Sequence, residues 1–292
     1  GVSCLGQCDR PPAVLDKRLE LIAPSPRGRV TPDNPDLPIN LGGNDTHTYT
    51  ALHKARAMSA NEVIQCIRDA GLQGRGGAGF PAAFKWQAVH DEPDSEKYVV
   101  CNADEGEPGT FKDREVMLRR PHRMLEGLAI AAYAVGATEI YIYIRGEFLE
   151  ARRSLDSALK EAAEHLEAFN YHFVNGHGAY ICGEETALLE AMEGRRGMPR
   201  LKPPFPASVG LYGMPTTVNN VETIAVVPTI IRKGHDWFSK LGRKNNTGSK
   251  IFCISGHVNT PCNVEEELGV PLRNWASQCT QDDGTSRKRI VY

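Results

Sequence analysis

The chain lacks the features that define several large classes of protein. No apolar run approaches the ~20 residues of a membrane-spanning helix. The formal net charge of −2 gives no excess of positive charge for nucleic-acid binding. The first residues, GVSCLGQCDR, include neither an initiator Met nor the charged and apolar regions of a signal peptide. With 292 residues, 41% of them hydrophobic, we expect a soluble globular protein cut from a longer chain.

The short catalytic signatures are missing as well. There is no G-x-S-x-G, no H-E-x-x-H and no Walker A motif. Six of the histidines show no spacing typical of metal ligands: His90, His122, His165, His172, His177 and His257. Eight cysteines are scattered, and only Cys4 and Cys8 lie close together, as C-x-x-x-C. Scattered thiols without a secretion signal predict reduced cysteines.

Short apolar runs alternate with helical patterns along most of the chain. The predicted strands are Tyr98–Cys101, Glu139–Ile144 and Tyr171–Val174, with hairpin-rich β structure after Lys250. The predicted helices are 59–70, with a Ser59–Glu62 capping box, then 121–134, 148–166, 185–193 and one from about 220. Strands that alternate with helices predict an α/β fold.

The glycine-rich stretch GLQGRGGAGFPAAFKW resembles a dinucleotide loop. Gly74, Gly76 and Gly79 fit G-x-G-x-x-G, but that template needs a preceding strand, and a helix is predicted here. Dense glycine still lets backbone N–H groups approach a phosphate or a flat ring. Arg75 and Lys85 could neutralise a phosphate. The alternative is a flexible surface turn.

Three further loops combine turn residues with polar groups beside a strand or helix. Asn102–Glu107 follows a predicted strand, where α/β sheets place ligands, and its carboxylates suit ribose hydroxyls or ring N–H donors. Tyr180–Thr186 and Thr216–Thr223 each open a helix and could bind an anion or a carbonyl. Solvated turns and helix capping are the alternatives. Together the four loops favour a phosphorylated planar ligand.

Five stretches carry a family resemblance, in this order: GRGGAGFP, NADEGEPGTFKDR, GAYICGEETAL, RLKPPFP and NNVET. Over about residues 50–272 the chain resembles the NADH-binding FMN flavoprotein (51 kDa, or F) subunit of respiratory complex I. It is similar also to diaphorase subunits of NAD-linked hydrogenases and formate dehydrogenases. The resemblance implies a Rossmann-like FMN/NADH-binding domain at 50–245, with an atypical glycine loop, and the start of a β-grasp-like domain at 246–275.

The resemblance also implies an activity and a setting. NADH would pass a hydride to bound FMN, and electrons would then move through iron–sulfur clusters toward quinone. Partners would be the other subunits of such a complex, including thioredoxin-like [2Fe–2S] and other iron–sulfur subunits. The location would be the cytoplasm or the mitochondrial matrix side, peripheral to the inner membrane. No catalytic side chain is implied, because hydride moves directly between nicotinamide and flavin.

The resemblance assigns cofactor-binding residues one by one. Phe80 would stack on adenine, Asn102 and Asp104 would bind the flavin, and Lys202 would face the nucleotide phosphates. The full implied set is Gly74, Arg75, Gly76, Gly77, Gly79, Phe80, Lys85, Asn102, Asp104, Glu105, Glu107, Tyr180, Gly183, Glu184, Glu185, Lys202, Asn219, Asn220 and Thr223.

The two ends of the sequence and one position of the adenine-binding region differ from the family pattern. The start resembles the last two ligands of a thioredoxin-like [2Fe–2S] domain, which implies Cys4 and Cys8 as ligands, residues 1–15 as its remnant and 16–49 as a linker. The [4Fe–4S] ligand segment of the family is absent, and 276–292 is a non-matching tail. A diaphorase subunit and a non-catalytic remnant are therefore the alternatives. Ala88 replaces a second aromatic that helps to clamp adenine in some members.

Overall fold

The computed structural model describes residues 5–9, 28–44, 48–256, 258 and 260–271. Within these ranges the helices are α1 (Thr50–Arg56), α2 (Ala60–Asp69), α3 (Ala82–Asp91), α4 (Lys112–Arg119), α5 (Pro121–Val135), α6 (Leu149–Glu161), α7 (Ala163–Leu166), α8 (Glu185–Met192), α9 (Val221–Lys233) and α10 (His235–Lys240). The strands are β1 (Arg29–Val30), β2 (Tyr98–Ala103), β3 (Glu139–Arg145), β4 (Asn170–Gly176), β5 (Thr216–Asn220), β6 (Gly242–Arg243), β7 (Asn246–Thr247), β8 (Ser249–Ile254) and β9 (Cys262–Glu267).

Four strands form a parallel sheet in the order β4-β3-β2-β5. Val99 in β2 pairs with Ile140 in β3 on one side and with Thr217 in β5 on the other. Successive side chains point to opposite faces, so Val99 joins the large core with α5 and α9, and Val100 joins a smaller core with Leu188 of α8. Helices therefore cover both faces, which confirms the predicted Rossmann-like α/β fold.

Several helix boundaries follow local sequence signals. The Ser59 hydroxyl accepts the backbone N–H of Glu62 at 3.3 Å, and the Glu62 carboxylate accepts that of Ser59 at 2.7 Å. This confirms the capping box of α2. Helix α5 begins at Pro121 and is followed by Gly136, whose φ of 80° suits a residue without Cβ. Strands β2, β3 and β4 contain the three predicted runs and are slightly longer.

Other elements differ from the sequence prediction. Helix α4 begins in the last three residues of NADEGEPGTFKDR, a stretch typical of a turn. Its start has no apolar signal, because its first buried residues are Lys112, Asp113, Arg114 and Glu115. Strand β5 has the polar sequence TTVNN, which favours a loop. Helices α1, α3 and α10 are also absent from the prediction. The single helix predicted over 148–166 is wrong, since it divides into α6 and α7 at Ala162.

A second, smaller sheet has the strand order β1-β9-β8. Strands β8 and β9 form the antiparallel hairpin predicted after Lys250, and β1 runs parallel to β9. The backbone N–H groups of Ile39 and Asn40 both donate to the buried Glu265 carboxylate at 2.8 Å. Residues 28–44, predicted to be an irregular connector, thus contribute a strand and are tied to the hairpin. The domain boundaries stay predictions.

The described part of the N-terminal segment packs against α4. The buried Arg114 guanidinium donates to Gln7 Oε1 at 2.7 Å and to both carboxylate oxygens of Asp9 at 2.8 Å. The main-chain carbonyl of Gly6 accepts a further bond from Arg114. Cys4 and residues 276–292 lie outside the described residues.

The cysteines divide into two groups. Cys66, Cys101, Cys182 and Cys253 carry free thiols, as predicted. Cys262 is disulfide-bonded, so the prediction of reduced cysteines throughout is wrong at that position.

Candidate functional site

A cavity of about 690 Å³ opens at the carboxyl ends of β2 and β5, the edge at which parallel sheets place ligands. All four predicted loops contribute to its lining. The predicted residues that line it are Arg75, Gly76, Gly77, Asn102, Asp104, Glu105, Glu107, Tyr180, Gly183, Glu184 and Asn220. The predicted residues that lie outside this lining are Gly74, Gly79, Phe80, Lys85, Glu185, Lys202, Asn219 and Thr223.

The glycine loop joins α2 to α3, so a helix precedes it, as predicted. Gly77 and Gly79 have φ values of 128° and 66°, which L side chains rarely adopt. A Cβ on Gly77 would meet no atom within 4 Å, so this part of the loop borders open space. The N–H of Gly74 donates to the Phe80 carbonyl at 2.9 Å and closes the loop.

Arg75 lines the cavity, and its guanidinium is hydrogen-bonded within the protein. Its guanidinium donates to the main-chain carbonyls of Gln73, Thr247 and Ser249 at 2.8–3.0 Å. The residue is 3% exposed. These contacts use the guanidinium to join the glycine loop to β7 and β8, and the contact of Arg75 with a phosphate stays a prediction. The N–H of Arg75 donates to Thr223 Oγ1 at 2.8 Å, so Thr223 supports the loop from α9.

Asp104 presents an unsatisfied oxygen at the cavity. The residue is 8% exposed, and Oδ2 has no hydrogen-bond partner among the described residues. Burial raises the pKa of Asp104 from 3.8 to about 6, while Arg145 opposes the rise. A Cβ on Gly106 or Gly183 would lie 3.9–4.0 Å from this oxygen, so the two glycines leave the space beside it open.

Glu105 of the acidic loop has hydrogen-bond partners within the protein. Its carboxylate accepts the N–H groups of Asp113 at 2.8 Å and Arg114 at 3.1 Å, which satisfies the first turn of α4. Burial and the nearby Asp113 raise the pKa of Glu105 to about 7, and Lys112 opposes the rise. Glu105 lines the cavity and also accepts two backbone N–H groups of α4, and its contact with ribose or ring donors stays a prediction.

A buried charge cluster lies below the acidic loop and is absent from the sequence prediction. Lys112 Nζ lies 2.7 Å from Glu222 Oε2 and 2.9 Å from Asp113 Oδ1. Burial opposes its charge, but the two carboxylates raise the pKa of Lys112 above its usual value. Asp113 also accepts a bond from Asn220 Nδ2 at 2.7 Å. Only the run FKDR beside the acidic loop signals this cluster in the sequence.

The two asparagines at the end of β5 have different environments. Asn219 is 5% exposed and accepts a bond from the Trp86 indole at 3.2 Å, so it belongs to the interior. Asn220 lines the cavity, and its Oδ1 accepts the N–H of Glu222 at 3.0 Å. A Cβ on Gly76 would lie 3.2 Å from the Asn220 Cβ, so the loop and Asn220 approach closely because residue 76 is glycine.

Helix α8 and its preceding turn bring carboxylates and lysines together. Glu184 caps α8 by accepting the N–H groups of Thr186 and Ala187, both at 2.9 Å. Glu185 lies between two cations: Lys85 Nζ at 2.8 Å and Lys202 Nζ at 2.9 Å. Burial works against the charge, but Lys85 and Lys202 lower the pKa of Glu185. Glu184 thus caps α8 and also lines the cavity, and its contact with a ligand stays a prediction.

Three aromatic side chains on the predicted loops and on α3 are exposed: Tyr180, Phe80 and Phe84. The Tyr180 hydroxyl donates to the exposed Glu107 carboxylate. Phe80 and Phe84 are 52% and 59% exposed, with ring centroids 6.5 Å apart. The sequence motifs include Phe80 and Tyr180 but not Phe84. Residues Lys250 to Cys253 of β8 also line the cavity but belong to none of the sequence motifs. Their position in the cavity could not be predicted, because β8 lies far from the four loops in sequence.

The fold and the cavity define an α/β protein with an open cavity at the carboxyl edge of its parallel sheet. The chain belongs to the Complex1_51K family: the model of this family, described as the Nuo51 FMN-binding domain, matches residues 67–229. This confirms the family resemblance that the five sequence stretches carry.

Individual proteins and solved structures are also similar to this chain. The F subunit of NADH-quinone oxidoreductase from Rickettsia bellii (strain OSU 85-389) is 56% identical over 241 residues, covering 79% of this chain and 57% of the relative. The corresponding protein of Rickettsia typhi is 53% identical over the same length, covering 79% of this chain and 56% of the relative. A solved structure of an NAD⁺-reducing [NiFe]-hydrogenase in the air-oxidized state is 34% identical with a TM-score of 0.87, covering 95% of this chain and 53% of that chain. The chain thus spans about half the length of the relatives it matches.

No helix among the described residues is long and apolar enough to cross a membrane.

Proposed function

We propose that this chain is the FMN- and NADH-binding module of an NADH dehydrogenase. The observation that carries the proposal is the buried Asp104 Oδ2, which has no hydrogen-bond partner in the described part of the chain. It lies in a cavity formed by four polar loops of a member of an FMN-binding family. An unpaired buried oxygen costs about 1–3 kcal/mol, which a donor on a bound molecule would recover. A flavin ring offers such N–H donors.

The residues at the cavity fit FMN. Gly76 and Gly77 would let the loop lie against the ligand, and Asn102, Asp104 and Asn220 would supply polar contacts. FMN, when bound, accepts a hydride from NADH and passes on single electrons. The protein would position the flavin and hold the Asp104 proton: because the pKa of Asp104 is raised to about 6, the carboxyl can carry a proton close to neutral pH.

The nucleotide would lie on the outer side of the same cavity. Lys85 and Lys202 are the cations nearest to Glu185, and they would attract the NADH phosphates. Glu107 and Tyr180 would contact the nicotinamide end, and Phe80 would stack on adenine. Glu105, Arg75, Asn219 and Thr223 would support these groups without touching the ligands. Gly74, Gly79, Gly183 and Glu184 would shape the backbone around them.

Electrons would leave through iron–sulfur clusters in partner subunits of the same complex and move on toward quinone. Cys4 and Cys8 of this chain would be two of the ligands of a thioredoxin-like [2Fe–2S] cluster. The [4Fe–4S] cluster of the family would be held by residues other than those in this sequence. The complex would work in the cytoplasm or on the matrix side, peripheral to the inner membrane.

A diaphorase module of an NAD-linked hydrogenase is a second candidate. One observation supports it: a solved NAD⁺-reducing hydrogenase structure matches 95% of this chain with a TM-score of 0.87. The chemistry at FMN is the same in both cases, and the two differ in the protein that accepts the electrons.

Anaerobic spectroscopy tests the proposal. The purified chain, supplied with FMN, should show flavin absorbance near ~450 nm that NADH bleaches. Flavin that binds but that NADH does not reduce would support a non-catalytic remnant. A protein that takes up no FMN would contradict both flavin-binding hypotheses. Activity with a quinone or with a hydrogenase partner would then separate the two acceptors.

A further inference from the structure

Residues 6–9 lie outside the cavity lining, but they lie beside the two arginines that hold Glu105 of the acidic loop. The Arg114 guanidinium binds the segment, while the Arg114 backbone N–H donates to Glu105 Oε2 at 3.1 Å. Arg145 Nη1 donates to the Glu105 main-chain carbonyl at 2.8 Å. The side chain and the main chain of a cavity-lining residue therefore both depend on arginines that the segment adjoins.

Gly6 lets the segment approach the end of β3. Its φ of 62° favours glycine, and a Cβ there would lie 2.9 Å from Phe148 Cζ and 3.9 Å from Arg145 Nη1. The Arg145 guanidinium lies over the same Phe148 ring, 5.1 Å from its centroid. The absence of a side chain at residue 6 therefore allows the segment to lie against Phe148 and Arg145.

Asp9 supplies the charge that balances Arg114. The Arg114 and Asp9 side chains are 2% and 1% exposed, so water cannot replace either partner. Glu115 also contacts Arg114 at 2.9 Å, but it is shared with Arg119 at 2.8 Å. Loss of the Asp9 charge would leave the buried guanidinium short of counter-charge, so Arg114 would have to move. Asp9 Oδ2 also accepts the N–H of Gly28 at 2.8 Å, which joins this contact to the start of β1.

We propose that Asp9 is a positioning residue for FMN binding: through Arg114 it holds Glu105, and with it the neighbouring Asp104, in place at the cavity. This rests on the proposed function, which places FMN in that cavity. Asp9 itself has no contact with the cavity and acts only through Arg114. FMN binding and the attachment of residues 6–9 are therefore coupled, and the coupling acts equally in both directions.

Titration of FMN with the full chain, followed by quenching of flavin fluorescence, tests the coupling. Asp9→Asn keeps the shape of the side chain and removes its charge. It should raise the Kd for FMN at least about fivefold, the lower end of the usual range for coupled sites. Gln7→Ala removes one acceptor of the Arg114 guanidinium and should give a smaller rise in the same direction. It also serves if the Asp9 variant does not fold.

Glu126→Gln is the matched control. Glu126 is a buried carboxylate that accepts the backbone N–H of Ala51 at 2.8 Å and pairs with Arg232 at 3.0 Å, as Asp9 does with Gly28 and Arg114. It does not line the cavity. Its replacement should lower the free energy of unfolding and leave the Kd for FMN unchanged.

Hydrogen exchange separates positioning from a general loss of stability. In the FMN-free chain, Asp9→Asn should speed exchange of the Asp113 and Arg114 amides, which donate to Glu105, more than Glu126→Gln does. In the wild type, FMN should slow exchange of the Gly28 amide, which donates to Asp9 and lies outside the cavity lining. That protection by FMN should be smaller in Asp9→Asn.

A Kd for FMN within about twofold of wild type in both Asp9→Asn and Gln7→Ala overturns the proposal, and so does an equal rise in Glu126→Gln. If the wild type binds FMN that NADH reduces while neither segment variant has an effect, only this inference fails. If the wild type takes up no FMN, the proposed function fails. Exchange of the Asp113 and Arg114 amides then still decides whether Asp9 holds the acidic loop.

Discussion

Two groups of charged residues use the same residue types for different purposes. The base comprises the buried residues Glu105, Lys112, Asp113 and Glu222, and the rim comprises the less buried residues Glu107, Lys85, Glu185 and Lys202. At the base, Glu105 is 5% exposed and accepts two backbone N–H groups of α4. Two residues later, Glu107 is exposed and accepts a bond from the Tyr180 hydroxyl at the cavity mouth. Burial forces a carboxylate to take its partners from the protein, whereas an exposed one keeps its capacity for a ligand. The lysines differ in the same way: the Lys112 side chain is buried among carboxylates, whereas the Lys85 side chain is partly exposed and lies outside the cavity lining.

Removing the cation at the base should produce the largest loss of stability. Lys112→Met leaves Glu222 and Asp113 buried without their counter-charge, which should lower the free energy of unfolding by about 3–5 kcal/mol. Lys85→Met at the rim is the matched control and should cost about 1 kcal/mol or less, because the pair it forms is partly exposed. Urea denaturation of the FMN-free chain measures both. Equal losses of unfolding free energy in the two variants would mean that the buried and the partly exposed ion pairs contribute alike to stability.

The pH dependence of stability should reveal Asp104. Because the pKa of Asp104 is raised from 3.8 to about 6 by burial, the folded state keeps its proton where the unfolded state has lost it. Its contribution to stability is therefore complete below pH about 4 and is lost as the pH rises through about 6. At about 1.4 kcal/mol per pKa unit, the change amounts to about 3 kcal/mol.

Asp104→Asn should remove this part of the slope. The measurement is the free energy of unfolding of the FMN-free protein between about pH 4.5 and 7. Bound FMN should reduce the slope of the wild type if its ring donates to Oδ2. A variant that keeps the full wild-type slope would show that another buried carboxyl, such as Glu105, is responsible.

A substitution that strains the backbone of the glycine loop should weaken FMN binding as well as lower the stability of the fold. Gly77→Ala meets no steric clash but places an L residue at φ 128°, at a cost of about 1–3 kcal/mol. Relief of that strain would move the loop, so FMN affinity, followed by quenching of flavin fluorescence, should fall by a similar free energy.

Gly194→Ala is the control for this substitution. Gly194 has φ 76°, a Cβ there also meets no atom within 4 Å, and the residue does not line the cavity. Its replacement should lower stability while FMN affinity remains at the wild-type value. Equal weakening of FMN binding by both substitutions would mean that the glycine loop has no special contact with the flavin.

Local patterns allow the α/β core and much of the site to be predicted. The capping box, the apolar runs of β2 and β3 and the glycine spacing are all short-range signals. Helix α4 could not be predicted, because its buried residues are charged and find their partners only through tertiary contacts. The contacts of Arg75 and Glu105 could not be predicted for the same reason. Their neighbours in sequence suggest ligand contacts, but the main-chain groups to which they hydrogen-bond lie on β7, β8 and α4.

The smallest expected effect lies at the rim. Glu185→Gln removes the charge between Lys85 and Lys202, and because these pairs are partly exposed the free energy of unfolding should change by no more than about 1 kcal/mol. The two ammonium groups would then act on the NADH phosphates without a competing carboxylate. We expect KM for NADH to fall at low salt and to rise more steeply with ionic strength than in the wild type.

Glu190→Gln is the control with the same change in charge. Glu190 pairs with Arg195 and Arg200 rather than with the rim lysines, so its replacement should leave the salt dependence of KM unchanged. Steady-state oxidation of NADH by the FMN-loaded chain with an artificial acceptor, at several salt concentrations, compares the two variants. An identical salt dependence in both would show that Lys85 and Lys202 do not face the phosphates. The rim lysines would then be structural partners of Glu185, as Lys112 is of Glu222 at the base.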